Sequence, residues 1–578
     1  MQWYITNIKI PGYSNKKAYY TNIIQNKDKL GDSFYVHIDG YIVPRIEHYQ
    51  KYKNFSQTGL IKKLYETYGN NFMSFIKGIF VIVILKKDSF LICTDRHSIK
   101  KYFIYQNNSG FYISNSLKLI SNNFSLEIDF ESAALFTLFS HFIDGYTLFK
   151  KIKYSLPGQY LIYCNKILRE HFYWTPQDIL MSRHVKNNSI DYLATEWQKI
   201  IKEYINYLKP GGISVTITGG NDSRMVLAAI PKKNLTVHTF TYGNPDSSDG
   251  ITATEISEML QVSHSNYYVN EPSEAWFEEH GKEIICYGNS LINIHRAHRH
   301  DAVRKEKMYC PNTDMVFTGL VGGEYLKEPR YDNIVLPHLF KIITSFSNQK
   351  KDLLILRKIL SNKGIIVSRI NVDIIQQRIK SYLGKTAGFS KKEKKFILSF
   401  LFYGSTHHIQ DTNIYNQYFK YVVNPFMDID FLELMVSDKN WYGNIQFSLF
   451  RRLFHSEQIV AITDYLSPEL SDISYAKKGK YSANDLLKNK LKYIIKRSSY
   501  YLNFNKIKNP PNFPMGNWLF NFSISMLENF PSELIYIYDI DYLKKKIDHL
   551  KSKQSEEEWH VITNPLNLSM IYEYFKEK

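Results

Sequence analysis

The chain of 578 residues is poor in cysteine, with only Cys93, Cys164, Cys286 and Cys310. None forms a C-x-x-C pair, and four are too few to staple so long a chain. A disulfide framework is excluded, and a reduced, cytoplasmic setting is expected. Long apolar runs are missing as well. The longest, "GIFVIVIL" at 78–85, falls far short of the roughly 20 residues of a membrane span, so no membrane partner is expected. Its β-branched and aromatic residues read instead as a strand buried on both faces. The N-terminal "MQWYITNIKIPGYS" lacks a basic stretch followed by an apolar one, so no signal peptide is expected. There is no internal repeat, no GxxxxGK[ST] and no GxGxxG. The Walker-type phosphate loop and the dinucleotide-binding turn are therefore excluded.

Aromatic side chains are abundant: 45 Tyr and 36 Phe, with aromatics at 15% and hydrophobic residues at 44%. Rings must carry much of the burial. The formal net charge is +18, but the basic residues lie in scattered clusters such as "KKEKK" (391–395) and "LKKKID" (543–548). No Arg-rich recognition helix is visible, so nucleic acid is not the expected partner. A basic surface still favours anions such as ATP or an acidic peptide.

The length calls for two or three domains. Residues 1–175 are β-rich, with short runs such as "SFYVHIDGYIV" (33–43), "SFLICTD" (89–95) and "GFYISNS" (110–116) between polar turns. Helical spacing appears at 59–69 and 130–142. Residues 176–189 are polar and weakly patterned, and read as a linker. From 190 to 480 the style changes to strands alternating with helices, which predicts a parallel sheet of right-handed crossovers. Residues 481–578 read as a helical C-terminal extension.

One turn in the second half concentrates the chemistry. "GGISVTITGGNDSRMVLAAI" (211–230) reads as a strand, then Thr218-Gly219-Gly220-Asn221-Asp222-Ser223-Arg224, then a helix. Ligands of open α/β sheets bind at the carboxyl ends of strands. Two glycines there permit positive φ and close backbone approach, so that amides can face an anion. The helix N-terminus adds its partial positive charge. Asp222 repels a bare phosphate, so its presence points to a magnesium ion between it and phosphate oxygens. A plain turn capped by Asp222 or Ser223 would explain those two residues but not both glycines.

The loop resembles the Ser-Gly-Gly-X-Asp-Ser pyrophosphate loop of the ATP-pyrophosphatase superfamily, and more narrowly that of the asparagine synthetase-related family. Four further segments resemble the family in order: "TFTYGNPDSSDGITATEISEMLQVSH", "VFTGLVGGEYL" (316–326), "YVVNPFMDIDFLELMVS" (421–437) and the stretch 449–480 that precedes a catalytic lysine. Upstream, "LIKKLYETYGNNFMSFIKGIFVIVILKKDSFLICTDRHSIKKYFIY" resembles a glutaminase-type domain. The resemblance implies an α/β fold: an N-terminal α+β (Ntn-type) glutaminase-like sandwich, then a parallel-sheet ATP-pyrophosphatase domain with a largely helical C-terminal part. It implies a carbon–nitrogen ligase that uses ATP and Mg²⁺, forms an acyl-adenylate and releases AMP and pyrophosphate.

By the same resemblance, Thr218, Gly219, Gly220, Asp222, Ser223 and Arg224 hold pyrophosphate. Thr241, Tyr242 and Gly243 line the adenosine site, and Gly319 and Gly322 belong to a third loop. Asp222 and Asp249 are metal candidates. Glu324 and one of Lys477, Lys478 and Lys480 are catalytic candidates. Two departures stand out. Family members that release ammonia from glutamine begin with a cysteine, whereas Met1-Gln2-Trp3 offers no nucleophile. Gly323 stands where the third loop usually carries a metal-binding Asp, with Glu324 retained beside it. The missing cysteine fits the β-lactam synthetase and lasso-peptide cyclase branches. The expected substrate is then a small-molecule or peptide carboxylate, with a precursor peptide or partner protein in the peptide case. A glutamine-dependent amidotransferase of a sugar acid or amino acid, and a non-catalytic nucleotide- or partner-binding descendant, are the alternatives. In "HRAHRH" (295–300), arginines between the histidines disfavour a metal cluster and favour a helix face that touches an anion.

Overall fold

Why "GIFVIVIL" is apolar without alternation is answered by what lies on each side of it. The computed structural model describes residues 2–8, 19–23, 34–326, 349–407, 409–441, 456–476, 481–501, 515–553 and 559–576. Among the described residues, ten strands build the first half: β1 (Tyr4–Thr6), β2 (Tyr20–Thr21), β3 (Tyr35–Pro44), β4 (Ile76–Leu85), β5 (Phe90–Thr94), β6 (Phe103–Asn107), β7 (Gly110–Ser114), β8 (Ile152–Tyr154), β9 (Gln159–Cys164) and β10 (Ile167–Phe172). They form two five-stranded antiparallel sheets, ordered β2-β1-β7-β6-β8 and β10-β9-β5-β4-β3. Val81, Val83 and Leu85 of β4 point between the sheets and meet Ile5 and Ile113. Phe80, Ile82 and Ile84 point the other way, onto Leu60, Ile61 and Leu64 of the helix Gln57–Tyr68. Successive side chains of a strand alternate in direction, so a strand covered on both sides is apolar throughout. The helix Leu117–Asn123 backs the other sheet through Tyr112, Leu117 and Ile120. The layers run helix, sheet, sheet, helix.

Among the described residues, the second half is built on five strands: β11 (Ile213–Thr216), β12 (Val237–Tyr242), β13 (Ser263–Tyr267), β14 (Met315–Phe317) and β15 (Tyr421–Val423). The order is β13-β12-β11-β14-β15 and every pairing is parallel. The chain winds outward from β11 to β13, then returns to place β14 on the other side of β11. The crevice at the carboxyl ends of β11 and β14 is therefore the topological switch point.

The structure differs from the sequence reading in three places. The proposed linker 176–189 opens with a short helix, Pro176–Met181, fixed by a Thr175–Asp178 capping box. The segment 421–437 begins with β15 before the helix Ile429–Val436. The C-terminal helix His560–Lys576 is buried along most of its length and is part of the core. Its Asn564 donates to the carbonyl of Thr137 (3.1 Å) and accepts from Asn293 (3.1 Å), which joins the two halves.

A second seam is ionic. Lys77, buried in β4, meets Asp430 at 2.8 Å, Asp428 at 3.1 Å and Glu203 at 3.5 Å. Arg45 bridges Asp430 at 2.8 Å, and Tyr204 donates to Asp428 at 2.7 Å. Burial pushes the Glu203 carboxyl up to about 7, although Lys77 opposes the shift. Among the described residues, no helix is long and apolar enough to cross a membrane.

Candidate active site

The stretch 218–224 lies at the switch point. β11 ends at Thr216, and the helix Asn221–Ala229 starts after Gly220. Gly220 is its N-cap and supplies no side-chain acceptor to the first-turn amides. Neither Asp222 nor Ser223 caps the helix. The Ser223 hydroxyl turns back instead, accepting from the Thr218 amide at 3.1 Å. The N-cap thus gives the first turn no side-chain hydrogen bond, and a helix end of that kind favours an anion.

Neither glycine has a positive φ, and close approach explains Gly219 alone, since a Cβ on Gly220 would meet only the Thr218 hydroxyl at 3.3 Å. A Cβ on Gly219 would stand 2.1 Å from the Ala476 Cβ and 3.2 Å from an Asp249 oxygen. Gly219 donates to Asp249 Oδ1 (3.2 Å) and accepts from the Ala476 amide (3.0 Å). Asp249, buried in the first turn of the helix Ser248–Met259, therefore braces the loop backbone. The third loop closes in from β14. A Cβ on Gly319 would lie 2.6 Å from the Ser223 nitrogen, and one on Gly322 2.9 Å from the Asp222 carboxyl carbon. Between them Val321, buried, holds φ at +60°. A β-branched residue rarely adopts that conformation, and such strain gathers at functional sites.

Gly323 faces Asp222 with space to spare, since a Cβ there would sit at an ordinary 3.5 Å from Asp222 Oδ2. Glu324 follows in the short helix Gly322–Leu326. Mg²⁺ is commonly held by one or two carboxylates together with phosphate oxygens and water. Asp222, with Glu324 next in line, fits that need on the protein side.

Arg224 does not face the loop. It is fully buried, donates to the carbonyls of Ile473 (2.9 Å) and Ser474 (3.2 Å), and stacks on the Tyr475 ring at 4.0 Å. Read in the sequence as a phosphate ligand, it is a strut that pins the segment entering Lys477. Lys477, Lys478 and Lys480 themselves lie outside the described residues. Beside the strut, between Asp472–Ala476 and the helix Ser248–Met259, opens a groove of about 840 Å³ lined by Thr252, Glu255, Glu258 and Tyr475 among others.

One strand over, Thr241 donates to the Ile217 carbonyl at 2.7 Å. Thr216 pairs with Phe240, so Tyr242 stands level with Thr218. Gly243 follows at φ +121°, donating to the Tyr267 carbonyl at 3.0 Å. Thr318 and Asn424, at the ends of β14 and β15, are hydrogen-bonded, and Asn424 donates to Thr412 at 2.9 Å. The sequence reading missed this row along the sheet edge. It also missed Asp411, which pairs with Arg296 at 2.7 Å and with Arg299. His300 turns away from the edge to meet His280 at 2.8 Å and Tyr418 at 2.7 Å.

In the other half, Gln2 is exposed and its carbonyl accepts from Asn22 at 3.1 Å, while Trp3 is fully buried. Cys93 is buried in β5, where burial pushes its thiol up.

Residues 44–174, within the antiparallel half, match the glutamine amidotransferase domain family. Two solved structures are similar over part of the chain. One is the allosteric regulatory enzyme of purine biosynthesis, at 9% identity over 41% of this chain and 59% of that one, with a TM-score of 0.18. The other is glutamine phosphoribosylpyrophosphate amidotransferase from B. subtilis complexed with ADP and GMP, at 10% identity over 57% and 77%, also with a TM-score of 0.18. The chain thus spans about three fifths of the first. No curated protein matches the chain.

Proposed function

We propose that the protein is an ATP-dependent ligase that forms amide bonds, related to the asparagine synthetases. The observation that carries this reading is the closure of two glycine loops on Asp222 at an uncapped helix N-terminus. Gly319 and Gly322 bring the third loop against Ser223 and Asp222, and a helix N-terminus favours a polyphosphate. In the reaction, a carboxylate oxygen of the substrate attacks the α-phosphorus of ATP. The α–β phosphoanhydride bond breaks, pyrophosphate leaves and an acyl-adenylate remains. An amine then attacks the acyl carbon, loses a proton, and AMP departs with the oxygen.

The chain's own contribution is positioning and charge. The first-turn amides after Gly220 hold the departing pyrophosphate, and Asp249 keeps the Gly219 backbone in place. Mg²⁺, held by Asp222 with Glu324 beside it, would offset phosphate charge. Lysines 477, 478 and 480 follow the strut made by Arg224, and one of them would meet the charge that develops on phosphorus. The amine comes from the substrate itself or another donor. Ring closure within one molecule, as in a peptide or small-molecule cyclase, suits that arrangement. A second reading, a nucleotide-binding descendant without catalysis, is favoured by the bare Gly323 position alone.

The test is pyrophosphate–ATP isotope exchange driven by a panel of carboxylates. The reading expects exchange that depends on the carboxylate. No exchange together with no ATP binding overturns it, and ATP binding without exchange favours the second reading.

A further inference from the structure

Near the amino ends of β11 and β12, the opposite end from the glycine loop, lies a buried polar cluster that the proposed function does not use. Ser214 of β11 pairs with His238 of β12, and Ser265 and Tyr267 of β13 pair with Phe240 and Tyr242. Alternate residues of a strand share a face, so Ser214, His238, Ser265 and Tyr267 point to one side of the sheet. The helix Ala297–Tyr309 packs on β12 and β13 and brings Glu306 to the cluster. Glu306 is fully buried. Its carboxylate accepts from the hydroxyls of Ser214 (2.5 Å) and Tyr267 (3.0 Å) and lies 2.9 Å from His238 Nδ1. Cys310 follows one turn on, half-buried at the helix end, where its amide donates to the Glu306 carbonyl at 2.8 Å.

A carboxylate taken out of water needs a cation or a metal ion. Neither hydroxyl carries a charge, and among the described residues the one ion-pair partner of Glu306 is His238. Lys307 is turned to the carbonyls of Pro311 (2.8 Å) and Thr313 instead. A ring nitrogen of His238, a carboxylate oxygen of Glu306 and Cys310 Sγ lie within 4.8 Å of one another, close enough for all three to meet one ion. Imidazole, carboxylate and thiolate together suit Zn²⁺. One thiolate and one carboxylate balance its two charges, so the occupied cluster is neutral, as its burial requires. The outer partners are in place too. Ser265 Oγ lies 3.3 Å from His238 Nε2 and orients the ring, while Ser214 and Tyr267 orient the carboxylate. Burial, with Glu306 adding to it, pushes the Cys310 thiol up to about 11, so on its own it is no reactive thiolate. A second trio on the same helix, His280, Glu283 and His300, is less suited, because Arg304 stands 3.4 Å from His280 Nε2.

We infer that His238 Nδ1, Glu306 and Cys310 Sγ hold a Zn²⁺ ion that ties the end of the helix Ala297–Tyr309 to β12. On binding, the thiol proton leaves to solvent and the imidazole proton sits on Nε2, where it is donated to Ser265. Water takes the fourth position. The site does not depend on the ligase reading, and it differs from the Mg²⁺ site at Asp222 in having sulfur among its ligands.

The experiment is metal replacement in the full chain. Protein stripped with a chelator is titrated with Co²⁺, followed by absorption, and separately with Zn²⁺, followed by calorimetry and melting. The wild type is expected to take up Co²⁺ with the near-ultraviolet charge-transfer band of a thiolate–cobalt bond. Zn²⁺ should abolish the band and raise the melting temperature. Cys310→Ser should lose the band and bind Zn²⁺ at least tenfold more weakly, since removing even an outer partner of a ligand costs about 10–100-fold. Cys286→Ser, which removes an exposed thiol, should keep both properties. Circular dichroism shows whether each variant is folded. Where Cys310→Ser does not fold, alkylation of the stripped wild type is read by mass spectrometry, and Zn²⁺ should slow modification of Cys310 but not of Cys286. No ion bound by the folded chain, Co²⁺ bound without the thiolate band, a band retained in folded Cys310→Ser, or alkylation of Cys310 unchanged by Zn²⁺ overturns the inference.

Discussion

The antiparallel half and the edge of the parallel sheet differ in what they share with known proteins and in what they can do. The first matches a glutamine amidotransferase domain over 44–174. Yet of its two cysteines, Cys93 is buried in the core and Cys164 stands exposed at the end of β9. The second half lies outside that match. It nevertheless brings together close-packed glycines, a strained Val321, an uncapped helix and a partly accessible guanidinium. Chemistry follows a few side chains brought together from far apart in the chain. The two halves are joined by Lys77 and its three carboxylates, so the comparison can be broken at that seam.

Lys77→Met should have the largest effect. It leaves Asp428, Asp430 and Glu203 buried without their shared cation, at a cost of about 3–5 kcal/mol. Urea unfolding should show the loss, with the transition of the two halves no longer coincident. A loss under about 1 kcal/mol would mean that the seam does not hold the halves together. The same seam gives a pH dependence. Burial raises Glu203 from its model-peptide range to about 7 in the folded protein. Between the unfolded and folded values the native state binds the extra proton, so stability falls as pH rises from about 5 to 7. Glu203→Gln should flatten that fall in melting experiments, and an unchanged slope would contradict it. Gly323→Asp should have the smallest effect on stability, within about 0.5 kcal/mol, because its Cβ meets Asp222 at an ordinary distance. It should sharpen the other side of the comparison by lowering the Mg²⁺ concentration needed for ATP binding. A variant that needs more Mg²⁺ would remove Asp222 from the metal role.

The strands of the first half were legible because ring-rich and β-branched runs between polar turns carry their own signal, and β4 announced burial on both faces. The loop 218–224 was legible for a similar reason, since strand, glycines and helix are contiguous. The purpose of its residues was not. Gly219 is required by Ala476, and Arg224 by the carbonyls of Ile473 and Ser474, about 250 positions along the chain. Local sequence made an arginine beside a phosphate loop look like a ligand, and long-range packing makes it a strut. β15 was hidden because three residues, "YVV", precede a strong helical pattern, and its strand character comes from pairing with β14. In "HRAHRH" the basic residues were visible and their direction was not, because Asp411 is more than a hundred residues distant.

The account turns on whether the edge of the parallel sheet is a nucleotide site. Calorimetric titration of the full chain with ATP, with and without Mg²⁺, answers this, with Gly319→Val as the variant. A valine there would press on the Ser223 backbone, which stands 2.6 Å from a Cβ. The account predicts saturable, Mg²⁺-dependent binding to the wild type and at least a tenfold loss in the folded variant. No binding to the wild type, or equal affinity in a folded Gly319→Val, would contradict it.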